Sequence, residues 1–332
     1  MDETQHTLEP QRAPNRPRIT ALTRPNAIAQ IALQLWQMPT PGVGPYADVR
    51  ISLGTLNGDG DRAPLRFGLE GPEIVLAVGR GELDLGTLNP SAFLTMAYRG
   101  TGPFPRPLPV RAIAIMPSFD LMGFALAGRT GLTSLAQVRE RKFPLRVSVR
   151  DDVSRSPLFA VDEVLRAEGF SLAAIEAWGG SIQLLEQPPG HADRTGGMRS
   201  GTIDAVFDEA INAWGPIALE AGFRFAHLQD STLAHMEEIG WTTLPLSARF
   251  PSLKEDALTI SFSGWPLYTH ADLPEEAAYQ IADAVYRARE AIHWDLDRPG
   301  ELTDLRGGTP ATPIGVPLHA GAERFYRENG AL

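Results

Sequence analysis

Met198-Arg199-Ser200-Gly201-Thr202-Ile203-Asp204-Ala205-Val206-Phe207-Asp208-Glu209 repeats the outline of Val78-Gly79-Arg80-Gly81-Glu82-Leu83-Asp84-Leu85-Gly86-Thr87-Leu88-Asn89. In each, a helix-like segment closes on a glycine, and an Asp three residues later opens a short apolar strand that ends in polar residues. Glycine takes the left-handed conformation that closes a helix, and a short apolar run between turn signals reads as a buried parallel strand. One such unit in each of two lobes predicts an α/β protein. In open α/β sheets ligands sit beyond the carboxyl ends of the strands, which places Asn89 and Asp208 at the mouth of a cleft.

The 332 residues suffice for two domains. The net charge is −10, with acidic and basic residues interspersed, so the basic stripe of a nucleic-acid-binding face is missing. There is no cysteine, which excludes disulfides, thiolate metal sites and cysteine nucleophiles. No stretch reaches the length of a membrane span. Residues Met1 to Arg18 are polar and lack the apolar core of an export signal, which points to the cytoplasm unless a targeting segment lies upstream.

Residues 1–17 read as disordered, 18–128 with 258–332 as lobe one, and 129–257 as lobe two. Lobe one opens with a strand over 18–23 and a helix over 27–37, followed by a strand over 49–53 and a polar excursion over 57–66. A helix opens after Glu70-Gly71-Pro72, and another restarts at Pro90. Strands are expected over 110–116 and 123–127, the second being the exit from lobe one. Lobe two then carries a helix over 133–141, a strand over 145–149, a helix over 158–168 and a loop over 187–197. The second copy of the unit is followed by a helix over 210–221 and a strand over 223–228. The chain returns through 257–262 into a long helix capped by Asp272 and Glu275, and closes with a helix over 318–330.

The order of elements and several phrases resemble the TAXI-type solute receptors of TRAP transporters. The phrases are the Gly-x-x-Asp strand of the first copy, Gly131-Leu132-Thr133-Ser134-Leu135 before Arg146-Val147-Ser148-Val149, Gly201 to Phe207, and the tail Pro317-Leu318-His319-Ala320-Gly321-Ala322-Glu323-Arg324-Phe325-Tyr326-Arg327-Glu328-Asn329-Gly330. They span roughly residues 65 to 330. The resemblance implies a two-lobed type II periplasmic-binding-protein fold with a ligand cleft between the lobes, hinge closure, membrane partner subunits and a periplasmic location. It departs at the first strand, where Thr23-Arg24-Pro25-Asn26 replaces the family's turn, and at Glu70-Gly71-Pro72-Glu73, where a pocket-lining phrase is shortened. Gly71 enters as a ligand residue on that resemblance.

The candidate ligand residues follow from strand ends and helix starts. Thr23, Arg24 and Asn26 lie between a strand and a helix N-terminus, where amides and dipole favour an anion; the same residues also make an ordinary surface turn. Ser118 and Phe119 lie between two strands at the cleft edge, where turn chemistry is equally served. Arg150, Ser154 and Ser156 form the lobe-two turn before a helix, corresponding to the family's Gly-Ser-Gly-Thr phrase, with Asp151 and Asp152 opposing an anion nearby. Trp178, Phe207 and Asp208 are read as ending lobe-two strands, with core packing the alternative for Trp178. Asp84 and Asp204 start strands and read as structural, and His319 as holding the final helix. Asp208 and Glu209, neighbours on a strand, point to opposite faces rather than forming a catalytic pair.

No dinucleotide fingerprint, P-loop, zinc motif or nucleophile elbow is present, so no cofactor, metal or catalytic residue is expected. The reading is a receptor that captures a small carboxylate between its lobes for uptake. The alternatives are a cytoplasmic enzyme on the same fold, such as an aromatic-acid decarboxylase, and a ligand sensor.

Overall fold

The computed structural model describes residues 49–52, 64–69, 72–151, 155–251, 253, 256–289 and 300–332. The expected strand at 18–23 and helix at 27–37 lie outside them. Two five-stranded sheets form the two lobes. The first contains β1 (Val49–Ser52), β2 (Pro64–Leu69), β3 (Leu85–Thr87), β4 (Val110–Met116) and β12 (Trp265–His270), in the order β1-β2-β3-β12-β4. The second contains β5 (Gly123–Ala127), β6 (Arg146–Arg150), β7 (Ser181–Leu185), β8 (Ala205–Asp208) and β9 (Phe223–Phe225), in the order β7-β6-β8-β5-β9. A separate antiparallel pair, β10 (Thr243–Pro245) and β11 (Leu258–Ile260), lies on the return path.

The repeated unit has the same surroundings in both sheets. β3 lies between parallel β2 and antiparallel β12, and β8 lies between parallel β6 and antiparallel β5. In the first copy helix α1 (Pro72–Gly79) ends before Gly81, whose φ is 72°. The second copy uses helix α6 (Ala192–Ser200) and Gly201, whose φ is 75°. A side chain on either would be strained there. Asp204 then binds the start of the sheet together, accepting from the Arg146 amide at 3.0 Å and from the guanidinium groups of Arg146 and Arg129. It lies at the strand's amino end, and those partners hold its carboxyl below the usual carboxylate range although burial opposes them.

Both antiparallel strands directly follow a crossover. The chain leaves the first sheet through 117–122 and returns through 261–264, and the two crossovers run side by side, with Leu121 bridged to Ser261. β5, expected in lobe one, therefore belongs to the second sheet, where Gly123 pairs with Asp208. Its sequence is apolar throughout and suits either sheet.

Several other elements differ from expectation. β2 lies partly where the polar excursion was expected. The expected loop 187–197 contains the start of α6. Helix α9 (Glu275–Ala288) begins after Pro274 without a side-chain cap, so Asp272 does not cap it. His319 does cap the last helix, α11 (Ala320–Glu328), accepting from the Gly321 amide at 3.2 Å.

The lobes are packed on each other. Helix α2 (Ala92–Arg99) of lobe one sets Phe93 against Phe159, 5.2 Å away on helix α4 (Ser156–Ala167) of lobe two, and against Trp241 at 6.0 Å. One apolar cluster runs from Val75 and Met96 through these rings to Phe124, Val149 and Phe207.

Candidate functional site

Because β4 runs into one crossover and β12 emerges from the other, the carboxyl ends of β3 and β4 face the crossovers. The pairing of Gly123 with Asp208 puts the carboxyl ends of β6 and β8 there as well. The interlobe site is thus built from four strand ends around two crossover segments.

On the lobe-one side the expected residues hold the return crossover. The Asn89 amide donates to the carbonyls of Phe262 and Gly264, each at 3.2 Å. Ser118 is buried, and its hydroxyl accepts from the Gly264 amide at 2.9 Å. Phe119 packs on the lobe-two core, with the Arg249 guanidinium 6.0 Å from its ring. These contacts explain why polar residues end these strands: each satisfies backbone groups where the chain changes sheet.

On the lobe-two side a charged cluster closes the strand ends. Arg150, at the end of β6, meets Glu209 at 2.9 Å, and about a fifth of its side chain is exposed. Arg194 of α6 is fully buried, pairs with Asp208, donates to the Ser148 hydroxyl at 3.0 Å and to the Pro189 carbonyl at 3.2 Å. Asp120, in the outgoing crossover, accepts from the Ala210 amide at 2.7 Å and from the Leu121 amide at 2.8 Å. Its own amide bonds to Ser263 of the return crossover. Asp120 therefore ties both crossovers to the end of β8.

Three carboxyl groups share two guanidinium groups here, and burial disfavours the excess negative charge. Burial lifts Asp120 to about 6. Burial, with the charges of Asp120 and Asp208, pushes Glu209 well above the usual carboxylate range. Burial also raises Asp208, against the opposing pull of Arg194. Glu209 and Asp120 face each other, and burial disfavours ionisation of both.

Of the other expected residues, Ser156 is the buried first residue of α4. Phe207 is fully buried against Phe124, ring centres 5.4 Å apart, and belongs to the core. Trp178 is a correction. It follows helix α5 (Leu172–Ala177) and precedes β7, so it stands at that strand's amino end, stacked on Phe170 at 5.9 Å, away from the cleft. Thr23, Arg24, Asn26, Gly71 and Ser154 lie outside the described residues. Asp208 pairs with Arg194, and Glu209, just beyond the end of β8, pairs with Arg150. Arg194 and Asp120 escaped the sequence reading: one lies in a segment read as a loop, the other in a crossover whose neighbours are distant in the chain. Among the described residues no group of metal-ligating side chains is assembled, and no helix is long and apolar enough to cross a membrane.

A model of the NMT1-like family matches residues 71–330. No curated protein matches the chain. Among solved structures the chain is similar to a Xanthomonas citri protein bound to chloride ion, at 12% identity and a TM-score of 0.40, covering 79% of this chain and 81% of that one. It is also similar to the alkanesulfonate-binding protein SsuA from Xanthomonas axonopodis pv. citri bound to MOPS, at 14% identity and a TM-score of 0.30, covering 91% and 80%. A third is PhnD1 from Prochlorococcus marinus in complex with methylphosphonate, at 12% identity and a TM-score of 0.34, covering 78% and 82%.

Proposed function

We propose, from the premise that the chain belongs to the NMT1-like family, that it is a two-lobed solute receptor that closes on a small organic anion and delivers it to a membrane transporter. The supporting observation is the position of Arg150, a partly exposed guanidinium at the carboxyl end of β6 and ahead of α4. A helix N-terminus and an arginine side by side suit a carboxylate. Glu209 is a weak competitor for Arg150, because its surroundings favour the neutral form. Ligand arrival then replaces one partner of Arg150 by another.

In this reading Thr23, Arg24, Asn26, Gly71, Ser154 and Ser156 contribute further ligand contacts. The crossovers at 117–122 and 261–264 act as the hinge. The narrower assignment, a TAXI-type receptor working with TRAP membrane subunits in the periplasm, rests on the phrases quoted above, chiefly residues 317–330.

A thermal-shift screen of small carboxylates and aromatic acids tests the proposal, since a ligand that binds only the folded state raises the melting temperature. A stabilising acid should be recovered unchanged by mass spectrometry, and Arg150→Ala should weaken its binding by about tenfold or more. Catalytic consumption of the acid would move the reading to an enzyme. Undiminished binding by the variant would remove Arg150 from the site.

A further inference from the structure

The tail of the chain closes lobe one at the pole opposite the crossovers. β4 is the last strand of its sheet, and the tail runs along its outer edge. The Ala112 amide donates to the Pro317 carbonyl at 3.1 Å, and the His319 amide donates to the Ala112 carbonyl at 2.8 Å. Helix α11 then starts against the start of α9. A Cβ on Gly321 would lie 1.8 Å from the Glu275 carbonyl oxygen, so only glycine lets the two helix N-termini come this close. Farther along α11, Phe325 and Tyr326 are buried, and the Tyr326 hydroxyl donates to the carbonyls of Ile113 and Leu305. Tail, edge strand and both helix starts meet at one side chain, His319.

His319 is 2% exposed. Its Nδ1 accepts from the Gly321 amide at 3.2 Å, which caps α11 and leaves the proton of the neutral ring on Nε2. Nε2 is itself buried and makes no hydrogen bond among the described residues. This arrangement needs a neutral ring. Protonation turns Nδ1 from an acceptor into a donor, so the cap is lost, and it sets a cation at the N-termini of two helices, where the dipoles oppose it. The charged groups on the elements around the ring are Arg111 of β4, His270 and Asp272 at the end of β12, Glu275 and Glu276 of α9, and Glu323 and Arg324 of α11. Asp272 lies 3.6 Å from His270, Arg324 meets Glu276 at 2.6 Å, and Glu323 pairs with Arg327. Burial holds the ring below the ordinary histidine value, and Arg111 adds to this. The carbonyls of Ala271 and Leu273 and the charge of Glu275 pull the other way without restoring it.

We propose that His319 is an acid-released lock: the neutral imidazole holds the tail to the edge of β4, and protonation frees residues 317–323 while Phe325 and Tyr326 keep the rest of α11 packed. A freed ring titrates as an ordinary histidine, at about pH 6.5, and the docked ring titrates lower. The lock is therefore complete above that pH and is lost as the pH falls through the docked value, each unit of difference multiplying the freed population about tenfold. What is uncovered is the edge of an apolar strand, with the amide and carbonyl of Ala112 left unpaired. The sign is opposite to that of Asp120 and Glu209, whose raised carboxyl groups favour the folded chain in acid. The lock is thus read locally and not from global unfolding.

Hydrogen exchange of the full chain at pH 5.5 and pH 7.5, corrected for the intrinsic rate and read by mass spectrometry on peptides covering residues 110–116 and 317–330, tests the lock. Exchange at 110–113 and 317–323 is expected to rise by about five- to tenfold at the lower pH, and at 324–328 by less. His319→Asn keeps a side-chain oxygen that can accept from the Gly321 amide and cannot titrate, so its exchange should be the same at both pH values. A second measurement needs no variant. Followed by NMR, the His319 imidazole should titrate below the ordinary histidine value and carry its proton on Nε2 when neutral. Equal wild-type exchange at both pH values, an acid response that survives in His319→Asn and so belongs to His270, or a ring that titrates at or above the ordinary value would each overturn the proposal.

Discussion

The lobe-two strand ends and the start of α2 both set polar side chains beside a helix start, and differ in what those side chains meet. At the strand ends both arginines are in contact with carboxylates, and burial disfavours the excess negative charge. At α2 the Ser91 hydroxyl makes no capping bond. Residue types alone therefore do not distinguish the two regions. The first is an electrostatic joint with one partly exposed arginine, and the second is a helix start without a side-chain cap.

If the strand ends are such a joint, Arg194→Ala has the largest effect, because it leaves Asp208 buried without its partner. A loss of about 3–5 kcal/mol in urea unfolding is expected; a loss under about 1 kcal/mol would show that the cluster is solvated rather than locked.

Glu209→Gln comes next and reads the raised carboxyl groups. The carboxyl groups of Asp120 and Glu209 titrate higher in the folded chain than in the unfolded one. Between about pH 4 and the Asp120 value of about 6 the folded state thus holds a proton that the unfolded state has released. Stability should therefore fall as pH rises through that window, by about 3 kcal/mol for Asp120, and Glu209, whose carboxyl is also raised, carries the fall to higher pH. The Gln side chain donates permanently to Asp120, so the variant should flatten that fall. An unchanged pH profile would place the proton elsewhere.

The smallest effect sharpens the contrast at α2. Ser171, at the start of α5, accepts from the Ala174 amide at 3.1 Å, and Ser171→Ala should cost about 1 kcal/mol, as lost caps do. Ser91→Ala, at a helix start where the hydroxyl caps nothing, should change stability by less than about 0.5 kcal/mol. Equal losses at both serines would mean that Ser91 supports the helix after all.

The repeated helix–Gly–Asp–strand unit was legible because every part of it is local. A left-handed glycine, an Asp at a strand start and a short apolar run are each fixed by neighbours within a few residues. The same holds for β4 and for the cap at His319. Sheet membership was not legible in this way. β5 reads as a buried strand in either lobe, and only its pairing of Gly123 with Asp208, from far along the chain, assigns it to the second sheet. Trp178 illustrates the same limit: without β7 recognised after it, the strand end was placed on the wrong side of the tryptophan.

The sequence by itself determined two α/β lobes, the chain order of their repeated units, and the placement of Asn89, Arg150 and Asp208 at strand ends. Those features follow from backbone conformation and hydrophobic period, which act over short separations. Only the tertiary structure decided which charges neutralise one another. Burial and pairing are properties of groups brought together across the fold. Arg194 with Asp208, Asp120 with Ala210, and Thr95 with Gly315 become neighbours only when both crossovers and the 313–315 segment are in place.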